Sequence, residues 1–177
     1  MESKVSIDLS ILNELEADIA RQYLAMEYRP VVVMILFDKN GKVLIAQSAI
    51  NTSYWGFIQG GIDRAETLIQ AAGRELQEES GDVVLPKDVH ISKYCGTDQI
   101  DMPGWEKRDG FQKGKKYYYL LAFWDKCGPI KPQPEELADH IWLDPSDVEL
   151  YFATVNPIKR NSLLVALKIA TQKAVQF

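Results

Sequence analysis

Apolar residues recur at helical spacing near the start of the chain, where Leu12, Leu15, Ile19 and Tyr23 follow a possible cap at Asp8 or Ser10. That period predicts an amphipathic helix over about residues 9–27, with Pro30 as the latest point at which it can end. The run Val31 to Phe37 is β-rich and precedes the turn signal Asp38-Lys39-Asn40-Gly41-Lys42. Val43 to Ala46 then reads as the returning strand. A polar loop carrying Tyr54 and Trp55 leads to Phe57-Ile58-Gln59-Gly60-Gly61-Ile62, and residues 63–81 have high helix propensity. Downstream, Val89–Tyr94, Tyr117–Trp124 and Ile141–Leu143 read as strands. Pro86 lies ahead of the first, and residues 97–116 read as a long polar loop. A closing helix is expected over 157–174, with Leu163, Leu164, Leu167, Ile169 and Ala170 on its apolar side. Strands outnumber helices and the helices are long, which predicts a mixed sheet covered by helices on both faces.

The size of the chain, 177 residues with 46% hydrophobic and 25% charged, is suited to one domain spanning 1–177, with residues 1–27 as an N-terminal helical extension. A formal charge of −5 argues against nucleic-acid binding through a broad basic surface but leaves room for a polyanion held in a local pocket. The two cysteines, Cys95 and Cys127, do not form a C-x-x-C pair. Neither a disulfide framework nor a zinc site is indicated, and a cytoplasmic setting is expected. The residues after Met1 lack the basic and apolar regions of a secretory leader, and the longest apolar run is too short to span a bilayer. No secretion and no membrane anchor are expected. The N-terminal helix is a possible homodimer interface.

The chemistry concentrates in residues 60–82. Asp63 with Glu66 three positions on is a capping-box-like pair, and Leu68, Ala72 and Leu76 mark a stripe that anchors a helix to the core. On that helix Glu75, Glu78 and Glu79 project within roughly a 100° arc. Like charges so placed repel by about 0.2–0.5 kcal/mol per pair even when exposed, and Arg74 relieves only part of this. Hard oxygen ligands on a rigid element are what Mg²⁺ or Mn²⁺ requires. Gly60 and Gly61 permit close backbone approach beside the cluster. An ordinary solvated face is the competing explanation for a bare E-x-x-E-E, and the preceding glycines weigh against it.

In full, Gly60, Glu66, Arg74, Glu75, Leu76, Glu78, Glu79 and Gly81 match G-x5-E-x7-R-E-U-x-E-E-x-G-U, with U aliphatic. The segment resembles the signature of the Nudix hydrolases. Asp82 departs from the last aliphatic position, where Val83 and Val84 are available to supply the apolar contact. The resemblance implies an α/β/α sandwich around a mixed β-sheet, with an N-terminal and a C-terminal helix added. It extends towards RNA pyrophosphohydrolases and dinucleoside polyphosphate hydrolases through Tyr28-Arg29-Pro30 and Trp55-Gly56-Phe57-Ile58-Gln59-Gly60-Gly61. In that branch these segments read Y-R-P and W-x-F-P-Q-G-G, so Ile58 replaces a proline. Two basic residues expected after Ala46 are Gln47 and Ser48 here.

By that resemblance, Glu75, Glu78, Glu79 and Glu136 hold divalent metal, with Glu135 one residue from the last. Either Glu79 or Glu136 takes the proton of the attacking water, and Arg74 orients Glu75 and Glu78. The implied reaction is hydrolysis of a phosphoanhydride in a nucleotide polyphosphate, either a dinucleoside polyphosphate or a 5′-triphosphorylated RNA end. Nucleoside diphosphate sugars, nucleoside triphosphates and a non-catalytic binding role are the alternatives. Arg29 is a phosphate contact by resemblance, and Lys113, Lys115 and Lys116 by charge and position. Tyr54, Trp55, Trp105, Phe111 and Tyr118 are candidates for stacking on a base. Gly60 and Gly61 line the substrate side. His90 and His140 have no spaced partner and read as structural.

Overall fold

The computed structural model describes residues 3–103, 110–155 and 157–174. Its strands are β1 (Lys4–Val5), β2 (Tyr28–Phe37), β3 (Val43–Ser48), β4 (Trp55–Gly56), β5 (Ile58–Gly61), β6 (Val89–Asp101), β7 (Gly114–Trp124) and β8 (Leu137–Leu143). The helices are α1 (Leu9–Ala25), α2 (Leu68–Glu79), the single turn α3 (Val148–Tyr151) and α4 (Pro157–Ala174). Strand order along the sheet is β1-β6-β7-β2-β3-β4, with β5 also paired to β2 and β8 to β3. The β2–β7 and β1–β6 pairs are parallel and the others antiparallel, so the sheet is mixed, as expected.

Strand β2 shows why both faces must be covered. Val32, Met34 and Leu36 enter one apolar cluster with Leu15 and Ile19 of α1 and Leu68, Ala72 and Leu76 of α2. Val31, Val33 and Ile35 enter a second cluster with Val148 of α3 and Leu163, Ala166 and Ala170 of α4. A strand buried on both sides reads as a continuous apolar run, which is the pattern of residues 31–37. The result is an α/β/α sandwich.

Several boundaries differ from expectation. Pro30 does not merely stop α1; it lies inside β2, near the strand's start, in register with Lys116, and its carbonyl accepts the Ile62 N–H. Both ends of the expected loop of 97–116 are strand, since residues 97–101 belong to β6 and 114–116 to β7, and the two pair from Val89↔Trp124 out to Asp101↔Gly114. Helix α2 begins at Leu68 rather than Asp63. Thr67, held extended, caps it with Gln70 in a reciprocal box, while Glu66 accepts from the Asp63 N–H ahead of the helix. At the other end Asp82 adopts a left-handed φ of 61°, and Val84 is fully buried in the first cluster, with Val83 packed against it. That is the apolar contact displaced by two residues. Asp8, not Ser10, caps α1. Strand β1 and the turns around α3 had no clear signal. No helix among the described residues is long and apolar enough to cross a membrane.

Candidate active site

Strand β5 runs antiparallel to β2, with Gly60 opposite Val32 and Gly61 opposite Val31. On the α2 side of Gly60 a Cβ would overlap the carboxyl group of Glu75, so the glycine creates the space that this side chain fills. Glu75 is only 9% exposed. One turn further along α2, Glu79 turns towards the same strand and accepts a long bond from the Gln59 N–H at 3.4 Å. Glu78 is exposed.

Arg74 organises these carboxylates. Its Nε and Nη2 donate to the two oxygens of Glu66 at 2.6 and 2.8 Å, and Nη2 also donates to the Gly61 carbonyl at 2.9 Å. Nη1 donates to Glu75 at 2.6 Å and to Glu78 at 3.1 Å. The bonds from Glu66 and Glu75 push the guanidinium pKa upward. In return the Glu66 carboxyl is held below its usual range, chiefly by the Arg74 hydrogen bonds. A planar fork saturated in this way is a fixed strut.

One guanidinium cannot neutralise the whole cluster. Burial raises the Glu75 pKa, with Glu78 and Glu136 adding repulsion against the pull of Arg74. Glu79 is raised well above the ordinary value by burial first and then by Glu75, with Glu136 and Glu78 adding to it. Glu136 reaches this field from the turn before β8. Its carbonyl accepts the Ala49 N–H at 3.2 Å, which ties that turn to the end of β3. The charge of Glu136 acts on both Glu75 and Glu79. As the side chains stand, no three His, Cys, Asp or Glu groups among the described residues converge tightly enough to grip an ion. Arg74 draws Glu75 and Glu78 towards itself. The donor chemistry, all carboxylate oxygen with excess negative charge, nevertheless suits a hard divalent cation.

The opposite side of β5 is cationic and includes Lys159, a residue outside the sequence-derived site. Lys159 of α4 is 9% exposed, donates to Gln59 Oε1 at 3.1 Å and to the Tyr117 hydroxyl at 3.4 Å, and lies over the rings of Tyr54 and Tyr117. Burial, reinforced by nearby Lys115, pushes its pKa down to about 7. The signal was present in the sequence: positions 159, 163, 166 and 170 share one helical face, and a lysine on an otherwise buried stripe needs a reason. Lys115 is in register with Arg29 across β2 and β7, and a Cβ on Gly61 would come 2.8 Å from Arg29 Cζ. Tyr54 has its hydroxyl buried without a hydrogen-bond partner among the described residues, and Trp55 packs edge-on against Tyr151 at 5.3 Å.

Other candidates lie elsewhere. Tyr118 is fully buried and donates to Asp18 at 2.7 Å; Phe111 is buried against Tyr23. Neither presents a face to a base, because core packing consumes both rings. Lys113 pairs with Glu27 at 2.6 Å and Lys116 with Asp18 at 2.7 Å, and Lys115 is the member of the trio whose charge acts on Lys159. Trp105 lies outside the described residues. His90 is bonded to Ser6, in keeping with a structural role.

The model of the NUDIX domain matches residues 27–163. The chain belongs to the NUDIX domain family. Among curated relatives, an RNA pyrophosphohydrolase of Wolbachia pipientis subsp. Culex pipiens (strain wPip) is 35% identical over 64% of this chain and 69% of its own length. An RNA pyrophosphohydrolase of Wolbachia pipientis wMel is 47% identical over 58% of this chain and 62% of its own length. Solved structures of similar fold include a C. elegans Ap4A hydrolase binary complex, with TM-score 0.61 and 16% identity over 84% of this chain and 99% of that one. The E. coli dihydroneopterin triphosphate pyrophosphohydrolase superposes with TM-score 0.63 at 19% identity, over 80% and 95% of the two chains. At such identities these structures establish the fold of the Nudix segment.

Proposed function

We propose that this Nudix protein is a divalent-metal-dependent pyrophosphohydrolase that cleaves a phosphoanhydride bond in a nucleotide polyphosphate, either a dinucleoside polyphosphate or a 5′-triphosphorylated RNA end. The observation that carries this reading is the packing of Glu75 and Glu79 against the Gly60 strand, with Glu78 and Glu136 in the same field and one arginine to balance them. Relatives at 35 and 47% identity carry the name RNA pyrophosphohydrolase, which supports the substrate class.

Glu75, Glu78, Glu79 and Glu136 would hold the cation. Bound Mg²⁺ or Mn²⁺ supplies neutralisation of the phosphate oxygens, polarisation of phosphorus and acidification of water. Arg74, pinned by Glu66, keeps Glu75 and Glu78 in place. Lys159, Lys115 and Arg29 receive the polyphosphate from the other side of β5, where Gly61 leaves room for the Arg29 guanidinium, while Gly60 leaves room for Glu75. Trp55 and Tyr54 flank the base. Water attacks one phosphorus, the bridging P–O bond breaks, and the leaving phosphate departs with the bonding pair. Glu79 or Glu136 accepts the proton of the water, and burial raises the proton affinity of Glu79. Two free cysteines fit a cytoplasmic site of action.

The experiment is a substrate panel with Mg²⁺, comprising triphosphorylated RNA, diadenosine polyphosphates and nucleotide sugars, with products identified by mass. Preferential cleavage of the first two classes is expected. Preference for nucleotide sugars would overturn the substrate assignment.

A further inference from the structure

The family match begins at residue 27, so helix α1 lies outside it. Yet α1 bonds directly to the segment that carries the Arg74 strut. Glu16 Oε1 accepts the backbone N–H of Leu68 at 2.7 Å, across 52 residues. Leu68 is the first residue of α2 and is fully buried. Its N–H is one of the donors a helix start leaves without an internal partner, and Thr67 already serves Gln70. A carboxylate there also meets the positive end of the helix dipole.

At the other end of the segment the Tyr23 hydroxyl donates to the Ile62 carbonyl, one residue past Gly61. Arg64 donates back to the Tyr23 carbonyl at 3.4 Å and lies over its ring. Residues 62–68 are thus held at both ends by α1. Between those ends sits Glu66, whose two oxygens grip Arg74, which in turn grips Glu75 and Glu78.

We infer that α1 is a positioning element for the active site: Glu16 and Tyr23 fix residues 62–68, and through Glu66 and Arg74 they set where Glu75 and Glu78 stand. The inference rests on the proposed metal-dependent function for its catalytic consequence, but the clamp itself is a property of the metal-free fold.

Four variants test it. Glu16→Ala and Tyr23→Phe each remove one tie. Glu16→Gln keeps an oxygen that accepts the Leu68 N–H. Asp8→Ala weakens the start of α1 without touching the segment. The first readout is the NMR signal of the Arg74 Nε–H, which the Glu66 bond places. It should shift or broaden in Glu16→Ala and Tyr23→Phe and stay at the wild-type position in Glu16→Gln and Asp8→Ala. The second is Mn²⁺ affinity by electron paramagnetic resonance, expected to fall about tenfold in the first two variants. kcat should fall alongside it, with KM within about twofold. An unmoved Arg74 signal in Glu16→Ala, or a Glu16→Gln variant as impaired as Glu16→Ala, overturns the inference. So does an Asp8→Ala variant that loses equal metal affinity through lost stability alone. If wild type binds no Mn²⁺ and cleaves nothing, the proposed function fails while the Arg74 signal still decides the clamp.

Discussion

Gly60 and Glu75 share one volume: a side-chain carbon on the glycine would overlap the Glu75 carboxyl group. Gly60→Ala should therefore drive Glu75 from its seat and lower kcat by about 10²-fold, the scale of an ångström-sized misplacement. The strand survives, so circular dichroism should be unchanged. Gly61→Ala meets the guanidinium of Arg29 first and should act on KM instead. Steady-state kinetics of the two variants separates these outcomes; wild-type kcat in Gly60→Ala would refute the packing argument.

Glu79 is costly to fold at neutral pH in the absence of metal. Its pKa is raised in the native state, chiefly by burial and then by Glu75. Between the ordinary carboxylate value and that raised value, the native state binds a proton that the unfolded chain has released. Stability therefore falls as pH rises through this window. Glu79→Gln lacks the charge, so without metal its Tm should exceed that of wild type at pH 8, and the gap should close towards pH 5. Added Mg²⁺ should stabilise wild type and not the variant. Equal Tm values at pH 8 would show that the carboxylate is not strained.

Lys159 has the opposite sign of charge and its own window. Between about 7, where burial has pushed its pKa, and the ordinary lysine range, the unfolded chain holds a proton the native state lacks. Its contribution to stability therefore rises with pH. Lys159→Met should be more stable than wild type at pH 6.5 and should raise KM for a triphosphorylated substrate about tenfold. In wild type KM should climb above pH 7, a trend absent from the methionine variant. An unchanged KM would remove Lys159 from the phosphate path.

The three clustered lysines should separate by partner. Lys113 is exposed and ion-paired to Glu27, so Lys113→Ala should leave KM within about twofold and Tm close to wild type. Lys115, close enough to depress the Lys159 pKa, should raise KM when changed to alanine. The reverse ranking would place the phosphate chain on the Glu27 side.

Local spacing made the carboxylate cluster readable, because residues three and four apart on a helix share a face whatever surrounds it. The same logic gave α1, β2, β7 and α4. Partners distant in sequence were another matter. Lys159 meets Gln59 a hundred residues away, and Glu16 meets the Leu68 N–H across 52; the helical stripe marks Lys159 as inward-facing, but nothing periodic names either partner. Asp63 and Glu66 offered a plausible cap, but Arg74 claims Glu66 and Thr67 takes the capping role. Polar residues 97–101 and 114–116 looked like loop, although pairing between β6 and β7 satisfies their backbone as strand. Aromatic residues were the least readable, since Phe111 and Tyr118 differ from Trp55 only in what packs on them.

The most direct test of the glutamate cluster is pyrophosphate release from triphosphorylated RNA, with and without Mg²⁺, in wild type and Glu79→Gln of verified fold. Release in wild type should require the metal, be abolished by a chelator and fall at least about 10²-fold in the variant. Metal-independent release, or equal rates in the two proteins, would contradict the claim that these carboxylates carry the reaction.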